Sequence, residues 1–200
     1  MQAIKQCRTT GAVAPSSRVL ARAMVQSIPD YANKRVLEVG CGTGAFTKEI
    51  LKKLQDGDEF HIVELSSDFC KEVENSLLQQ FRKDNPSITI EVHNAPIEEA
   101  NLEGKFDAII CGLPFNNFPL DLVEHLFDVM LGFLRSEGEL AYFEYLGMLK
   151  LKRVFGFPAI RRETKQRTKD IDARYEKQSG KQQTVWRNIP SCRVVRLKGC

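Results

Sequence analysis

The stretch VLEVGCGTGAFT, residues 36–47, joins a short apolar run to a cluster of glycines and then to a helical pattern. Val36, Leu37 and Val39 suit a strand buried on both faces. Gly40, Gly42 and Gly44 end that strand in a turn that lets the backbone approach a ligand closely. In an open α/β sheet such a turn lies at the carboxyl edge of the strands, where ligands bind. The spacing G-x-G-x-G is not the dinucleotide fingerprint G-x-G-x-x-G. It is not a phosphate loop either, since no G-K-[ST] follows.

Outward from this turn, strand and helix signals alternate, which argues for a mostly parallel sheet covered on both faces. Strands are expected at 35–40, 59–65, 88–94, 106–111 and 138–145, each rich in Val, Ile, Phe or Tyr. Helices are expected at 43–55, 66–83 and 119–135, the second opening on the capping run Ser66-Ser67-Asp68. A last strand pair at 182–188 and 192–198, joined through Asn188-Ile189-Pro190-Ser191, adds an antiparallel edge to the sheet. The expected fold is α/β: a Rossmann-like, doubly wound, seven-stranded sheet, mostly parallel, with an antiparallel edge strand. The 200 residues suit one domain, with residues 1–30 as a helical lid or membrane segment and 146–182 as a basic amphipathic insertion.

Net charge is +3, but it is unevenly spread. Residues 1–149 carry 14 Lys+Arg against 22 Asp+Glu, and residues 150–200 carry 15 against 4. A basic face of that density attracts phosphates, of lipid or of nucleic acid. The six cysteines form no CxxC pair and no Cys/His spacing, so reduced thiols and no metal are expected. No apolar stretch reaches the roughly 18–20 residues of a membrane span. The reading places the protein in the cytoplasm as a monomer.

Two carboxylates carry the ligand reading. Glu38 is a charge inside an apolar strand and needs a partner, either a basic side chain or a ligand's ammonium group. Glu64, 24 residues after Gly40 at the end of the next strand, can accept both hydroxyls of a ribose. In order and at this spacing they point to adenosine plus an amino acid.

Here the sequence resembles the class I S-adenosylmethionine-dependent methyltransferases, through E-V-G-C-G-T-G and V-E-L, over residues 35–146. The resemblance implies that Gly40, Cys41, Gly42, Gly44 and Leu65 line S-adenosylmethionine, that Glu38 holds its methionine end, and that Glu64 binds the ribose. It also implies that Asn94 and Ala95 contact adenine, with Cys111 beside the cofactor.

Cys111-Gly112-Leu113-Pro114-Phe115 ends the fourth strand where amino-directed methyltransferases carry [ND]-P-P-[YF] or N-L-P-[YF]. Gly112 replaces the amide that orients a planar nucleobase amine, whereas an aliphatic amine needs less. Thr10-Gly11-Ala12-Val13-Ala14-Pro15-Ser16-Ser17, G-L-P-F and W-R-N-I-P-S-C-R-V together resemble the bacterial phospholipid N-methyltransferases over residues 8–198. These convert phosphatidylethanolamine stepwise to phosphatidylcholine, and are similar in sequence to the ribosomal RNA adenine dimethyltransferases. Only about 55 residues follow the fifth strand, too few for the RNA-gripping helical domain of the latter. RNA is therefore the less favoured substrate, and another amino-lipid such as ornithine lipid stays open.

Phe115 is the expected ring over the target nitrogen. Tyr142 and Tyr145 are candidates to orient the headgroup; their odd spacing puts them on opposite faces, with Tyr145 nearer the loops. Leu113 lines the substrate site, and Arg187 and Arg193 could fork a lipid phosphodiester. Residues 146–162 interleave large apolar side chains with five cations, Arg153 among them, an interfacial pattern. The expected partners are anionic membrane lipids and an aminophospholipid, met at the inner face of the cytoplasmic membrane.

Overall fold

Arg35–Val39 (β1), Glu59–Val63 (β2) and Thr89–His93 (β3) pair in parallel in the computed structural model, which describes residues 17–115, 118–145, 179–186, 188 and 191–199. Phe106–Cys111 (β4) and Leu134–Tyr145 (β5) extend the parallel sheet on the other side of β1. Ser179–Val185 (β6) and Cys192–Lys198 (β7) complete it in the order β3-β2-β1-β4-β5-β7-β6. β7 is antiparallel to both β5 and β6, so the antiparallel edge is this last hairpin, with β6 outermost. Strand order reverses between β1 and β4, and the switch point therefore falls at residues 40–44.

The sheet separates two apolar cores. One face packs against Arg18–Met24 (α1), Thr47–Ile50 (α2) and Ser67–Val73 (α3), through Leu20, Met24, Ile50 and Val73. A π-turn at Glu74–Leu78 carries α3 into Gln79–Asp84 (α4). The opposite face packs against Leu120–Gly132 (α5), through Val123, Leu126, Phe127 and Met130 at helical spacing. Ser66 caps α3 and Ser17 caps α1, each side chain accepting a backbone N–H three residues on.

Three expectations change. The helix expected from residue 43 begins at Thr47, because positive φ at Gly42 and Gly44 keeps residues 42–46 in turns. β5 begins at Leu134 rather than 138, and β6 spans Ser179–Val185 rather than 182–188. Between the pairs Phe106–Leu134 and Ala108–Glu139, β4 advances two residues and β5 five, so an irregularity absorbs the extra chain. From Ser17 onward the amino-terminal segment is helical, with Leu20, Ala21, Ala23 and Met24 buried against the sheet. Residues 1–16 and 146–178 lie outside the described residues.

Two buried cations tie the fold, and neither stands out in the sequence. Arg196 of β7 donates to the Ala23 carbonyl (2.7 Å) and to Ser27 Oγ (3.1 Å), fastening α1 to the sheet. Lys34 and Asp58, both fully buried, pair at 2.5 Å where β1 and β2 begin. Asp58 also accepts from the backbone N–H groups of Lys34 and Gln55. Removing one partner of such a pair leaves a buried charge unpaired. Asp58→Ala is therefore expected to cost about 3–5 kcal/mol of unfolding free energy, read from urea denaturation.

Candidate active site

The carboxyl ends of β1 to β4 form one hydrogen-bonded rim. Gly40 N–H donates to the Val63 carbonyl (2.8 Å), Gly112 N–H to Val39 (2.8 Å), and Glu64 N–H to His93 (3.0 Å). Gly40, Gly42 and Gly44 have φ of +78°, +50° and +79°, which side chains rarely allow. Space is limiting as well. A Cβ on Gly40 would stand 2.7 Å from Leu113 Cδ2, and one on Gly44 would stand 2.7 Å from Leu77 Cδ1.

Behind this turn lies Glu38, fully buried. The Thr47 hydroxyl donates to its Oε2 at 2.8 Å, while Oε1 has no hydrogen-bond partner among the described residues. Burial pushes the Glu38 carboxyl up to about 8; the Thr47 hydrogen bond pulls against this, and the nearby Glu64 charge adds to it. An acceptor left open in an apolar interior is costly unless a donor arrives. Glu64 is held at the rim: Oε2 accepts from Gly42 N–H (3.1 Å) and Oε1 from Ser66 N–H (2.8 Å). The Cys41 thiol points to the same carboxylate at 3.9 Å. Burial raises its pKa, so Cys41 stays protonated and is no nucleophile.

Beside Glu64 opens a cleft of about 60 Å³, lined among others by Leu65, Ala95, Ile97, Glu98, Leu113 and Phe118. Of the two adenine-side candidates Ala95 lines it, as does the cofactor candidate Leu65. Asn94 instead donates its side-chain amide to the Glu64 carbonyl (2.9 Å), fixing β3 to the end of β2. Glu98 and Ile97, on the 3₁₀ turn Ile97–Glu99, were not anticipated. Their only signal was an acidic turn directly after the third strand. Thr47 was missed too, although it lies in the quoted stretch; its contact with Glu38 depends on how the chain turns back.

The acceptor-side candidates divide. Leu113 packs over Gly40 and lines the cleft. Phe115 does not present its ring to the cleft: it is buried against Phe118, Phe127 and Tyr142. Tyr142 belongs to this α5-side core, and Tyr145 to the opposite one beside Phe143, so the two do occupy opposite faces. Tyr145 shares the Glu38 face at the carboxyl end of β5, and burial pushes its hydroxyl up to about 12. Cys111 is buried in the α5-side core, its thiol pushed up to about 12 by burial, so no more than its backbone can meet a ligand. Arg193 forks Glu144 across the β5–β7 pair (2.6 and 3.2 Å), which engages it within the sheet rather than with a phosphodiester. Arg153 and Arg187 lie outside the described residues.

Gly112 receives a packing reason. A Cβ there would lie 2.3 Å from the Gly40 carbonyl oxygen and 3.3 Å from the Phe46 ring. The missing amide is thus dictated by the close approach of β4 to the glycine turn, as well as by any demand of the acceptor.

This fold and rim define a methyltransferase. A family model described as a methyltransferase domain matches residues 37–140, from β1 into β5, and the chain belongs to that family. Among curated proteins, the ornithine lipid N-methyltransferase of Singulisphaera acidiphila is 28% identical over 126 residues, 63% of this chain and 65% of that relative's length. The match thus spans just under two thirds of that relative. Among solved structures, the fold is similar to the O-methyltransferase TomG of Streptomyces achromogenes, solved in complex with SAM. That match has a TM-score of 0.61 and 12% identity over 100% of this chain and 87% of that one. A SAM-dependent O-methyltransferase from Thermotoga maritima superposes with a TM-score of 0.56 and 16% identity over 98% and 70% of the two chains.

Because the folded Glu38 carboxyl titrates near 8 and an unfolded one near 4.5, the unfolded chain sheds this proton first as pH rises. The contribution of Glu38 to stability is therefore full below pH 4.5 and is lost on rising through about pH 8. Glu38→Gln, which cannot ionise, is expected to match the ligand-free parent near pH 5. It should exceed it by a few kcal/mol, on the order of 3, at pH 8. Urea midpoints across that range read the difference, and a constant offset would contradict it.

Proposed function

We propose that this chain is an S-adenosylmethionine-dependent N-methyltransferase for the amine headgroup of a membrane lipid, with ornithine lipid the first substrate to test and phosphatidylethanolamine the second. The observation that carries the cofactor half is the buried, unpartnered Glu38 Oε1 beside the left-handed glycine turn. An ammonium group is the donor that such an oxygen lacks. Glu64 and the cleft beyond it suit a ribose and an adenine ring in that order from the turn. When bound, S-adenosylmethionine supplies an electrophilic methyl group on its sulfonium.

The chain's own contribution is position. Leu113 lies directly on Gly40, so the Gly112-Leu113-Pro114 turn brings an acceptor against the cofactor turn. With no side-chain amide at residue 112, the backbone of this turn must orient the nitrogen. That is enough for an sp³ amine, whose lone pair projects outward once the proton has gone. Tyr145, held protonated near neutral pH, can hydrogen-bond a headgroup but cannot act as its base.

Membrane access is supported from the same rim. Val185 of β6 pairs with Cys192, which pairs with Tyr145, so the chain leaves β6 at the carboxyl edge of the sheet. The next residue, Trp186, is 75% exposed there. An exposed indole suits the headgroup level of a bilayer. Tyr145 ends β5 at that same edge, and the basic, apolar stretch 146–162 follows it in sequence. No helix among the described residues is long and apolar enough to cross a membrane, which fits peripheral attachment. On this reading the protein works as a monomer on the inner face of the cytoplasmic membrane. The ornithine-lipid relative favours that headgroup; the phospholipid N-methyltransferase motifs favour phosphatidylethanolamine.

The test is methyl transfer from radiolabelled S-adenosylmethionine to vesicles containing ornithine lipid, vesicles containing phosphatidylethanolamine, and ribosomal RNA, in parallel. Label in an N-methylated lipid is expected, and label in RNA alone would refute the proposal. Glu64→Ala should weaken cofactor binding by at least tenfold, about 1.4 kcal/mol, in calorimetry. Lys152→Glu with Arg153→Glu should weaken vesicle binding by roughly tenfold or more, at about 1 kcal/mol per cation, and leave cofactor affinity unchanged.

A further inference from the structure

His61, Glu91 and His93 are 30 and 32 positions apart across two strands, yet β2–β3 pairing sets them together. His61 stands opposite Glu91, and His93 opposite Val63, so all three project from one face of the sheet at its β3 edge. His61 Nδ1 and His93 Nε2 are 3.1 Å apart. Glu91 Oε2 lies 3.7 Å from the first and 3.6 Å from the second. In a tetrahedral site with metal–ligand bonds of about 2.0–2.1 Å, neighbouring ligand atoms stand about 3.3 Å apart. The three atoms already approximate one face of that tetrahedron.

We propose that His61, Glu91 and His93 bind a divalent transition metal of the zinc class. Two imidazoles and one carboxylate select such an ion over magnesium or calcium, which prefer all-oxygen sites. The surroundings supply what a metal-bound histidine needs. The other nitrogen of His61, Nε2, is buried with no hydrogen-bond partner among the described residues, and Glu59 Oε2 is 3.7 Å away. A carboxylate behind the far nitrogen of a ligating histidine fixes its tautomer and ring. Phe106 packs edge-on against the His61 ring and limits its rotation. Glu91 is about half exposed, so solvent reaches the fourth position. Arg35 is the nearby opposing charge, and it is held by Glu59 at 2.6 Å.

A metal here would tie β3 to β2 three residues before Glu64 and directly before Asn94-Ala95. It would brace the cleft wall without touching the reacting atoms. This inference stands independently of the lipid substrate. The expectation from sequence, that the chain offers no metal site, rested on cysteine spacing and could not register a cross-strand pair.

The test titrates the purified, metal-stripped protein with Co²⁺ and with Zn²⁺. One equivalent of Co²⁺ should bind with visible bands of a nitrogen–oxygen site and no thiolate charge-transfer band. Zn²⁺ should raise the unfolding temperature. Glu91→Gln and His93→Gln, both at partly exposed positions, should fold normally and bind the metal at least about tenfold more weakly. Equal binding in the parent and both variants, a thiolate band, or no stoichiometric binding would overturn the assignment.

Discussion

The end of β1 is the constraint on which the molecule depends. At Val39 and Gly40 the central strand gives its last carbonyl to Gly112 and takes its next one from Val63, so β1 is clamped between β2 and β4 as it turns. Gly40 can make that turn because φ is +78° and because Leu113 occupies the volume of any side chain. The same closeness forbids a side chain at Gly112. The turns at residues 40–44 and 112–114 are therefore one packed unit, and neither can be altered alone.

The electrostatics of the site follow from this geometry. A sheet buried on both faces leaves no water for Glu38, and one of its oxygens is satisfied by Thr47 alone. The other is left open, with Glu64 near enough to raise the carboxyl further. A site of this kind is poorly satisfied until a cation arrives, which couples ligand binding to the stability of the whole sheet.

Much of this was legible in the residues. β1, β2, β3, β4 and β7 fall within two residues of the runs that predict them, because buried strands are rich in apolar residues. In contrast, β5 starts four residues early and the polar β6, Ser179–Val185, starts three residues early. The helices at 66–83 and 119–135 were visible from capping residues and period. The cofactor turn was legible because positive φ restricts its residues to glycine. The acceptor side was harder: Phe115, Tyr142 and Arg193 have the right chemistry and fall at the right end of their strands. Their side chains are nevertheless committed, the rings to the α5-side core and the guanidinium to Glu144. An aromatic residue at a strand end reads the same in sequence whether it faces a ligand or a core.

What the sequence determined by itself is local: where strands lie, where the chain must turn, and which carboxylates sit at the sheet's functional end. These depend on backbone conformation and on burial of consecutive residues, both encoded within a few positions. What only the tertiary structure decided is which distant groups meet. The Thr47 bond to Glu38, the Arg196 tie to α1 and the grouping of His61 with Glu91 and His93 all depend on strand register and on helix placement against the sheet. Register is fixed by the packing of the whole sheet, and a shift of one residue would turn every one of these side chains to the other face.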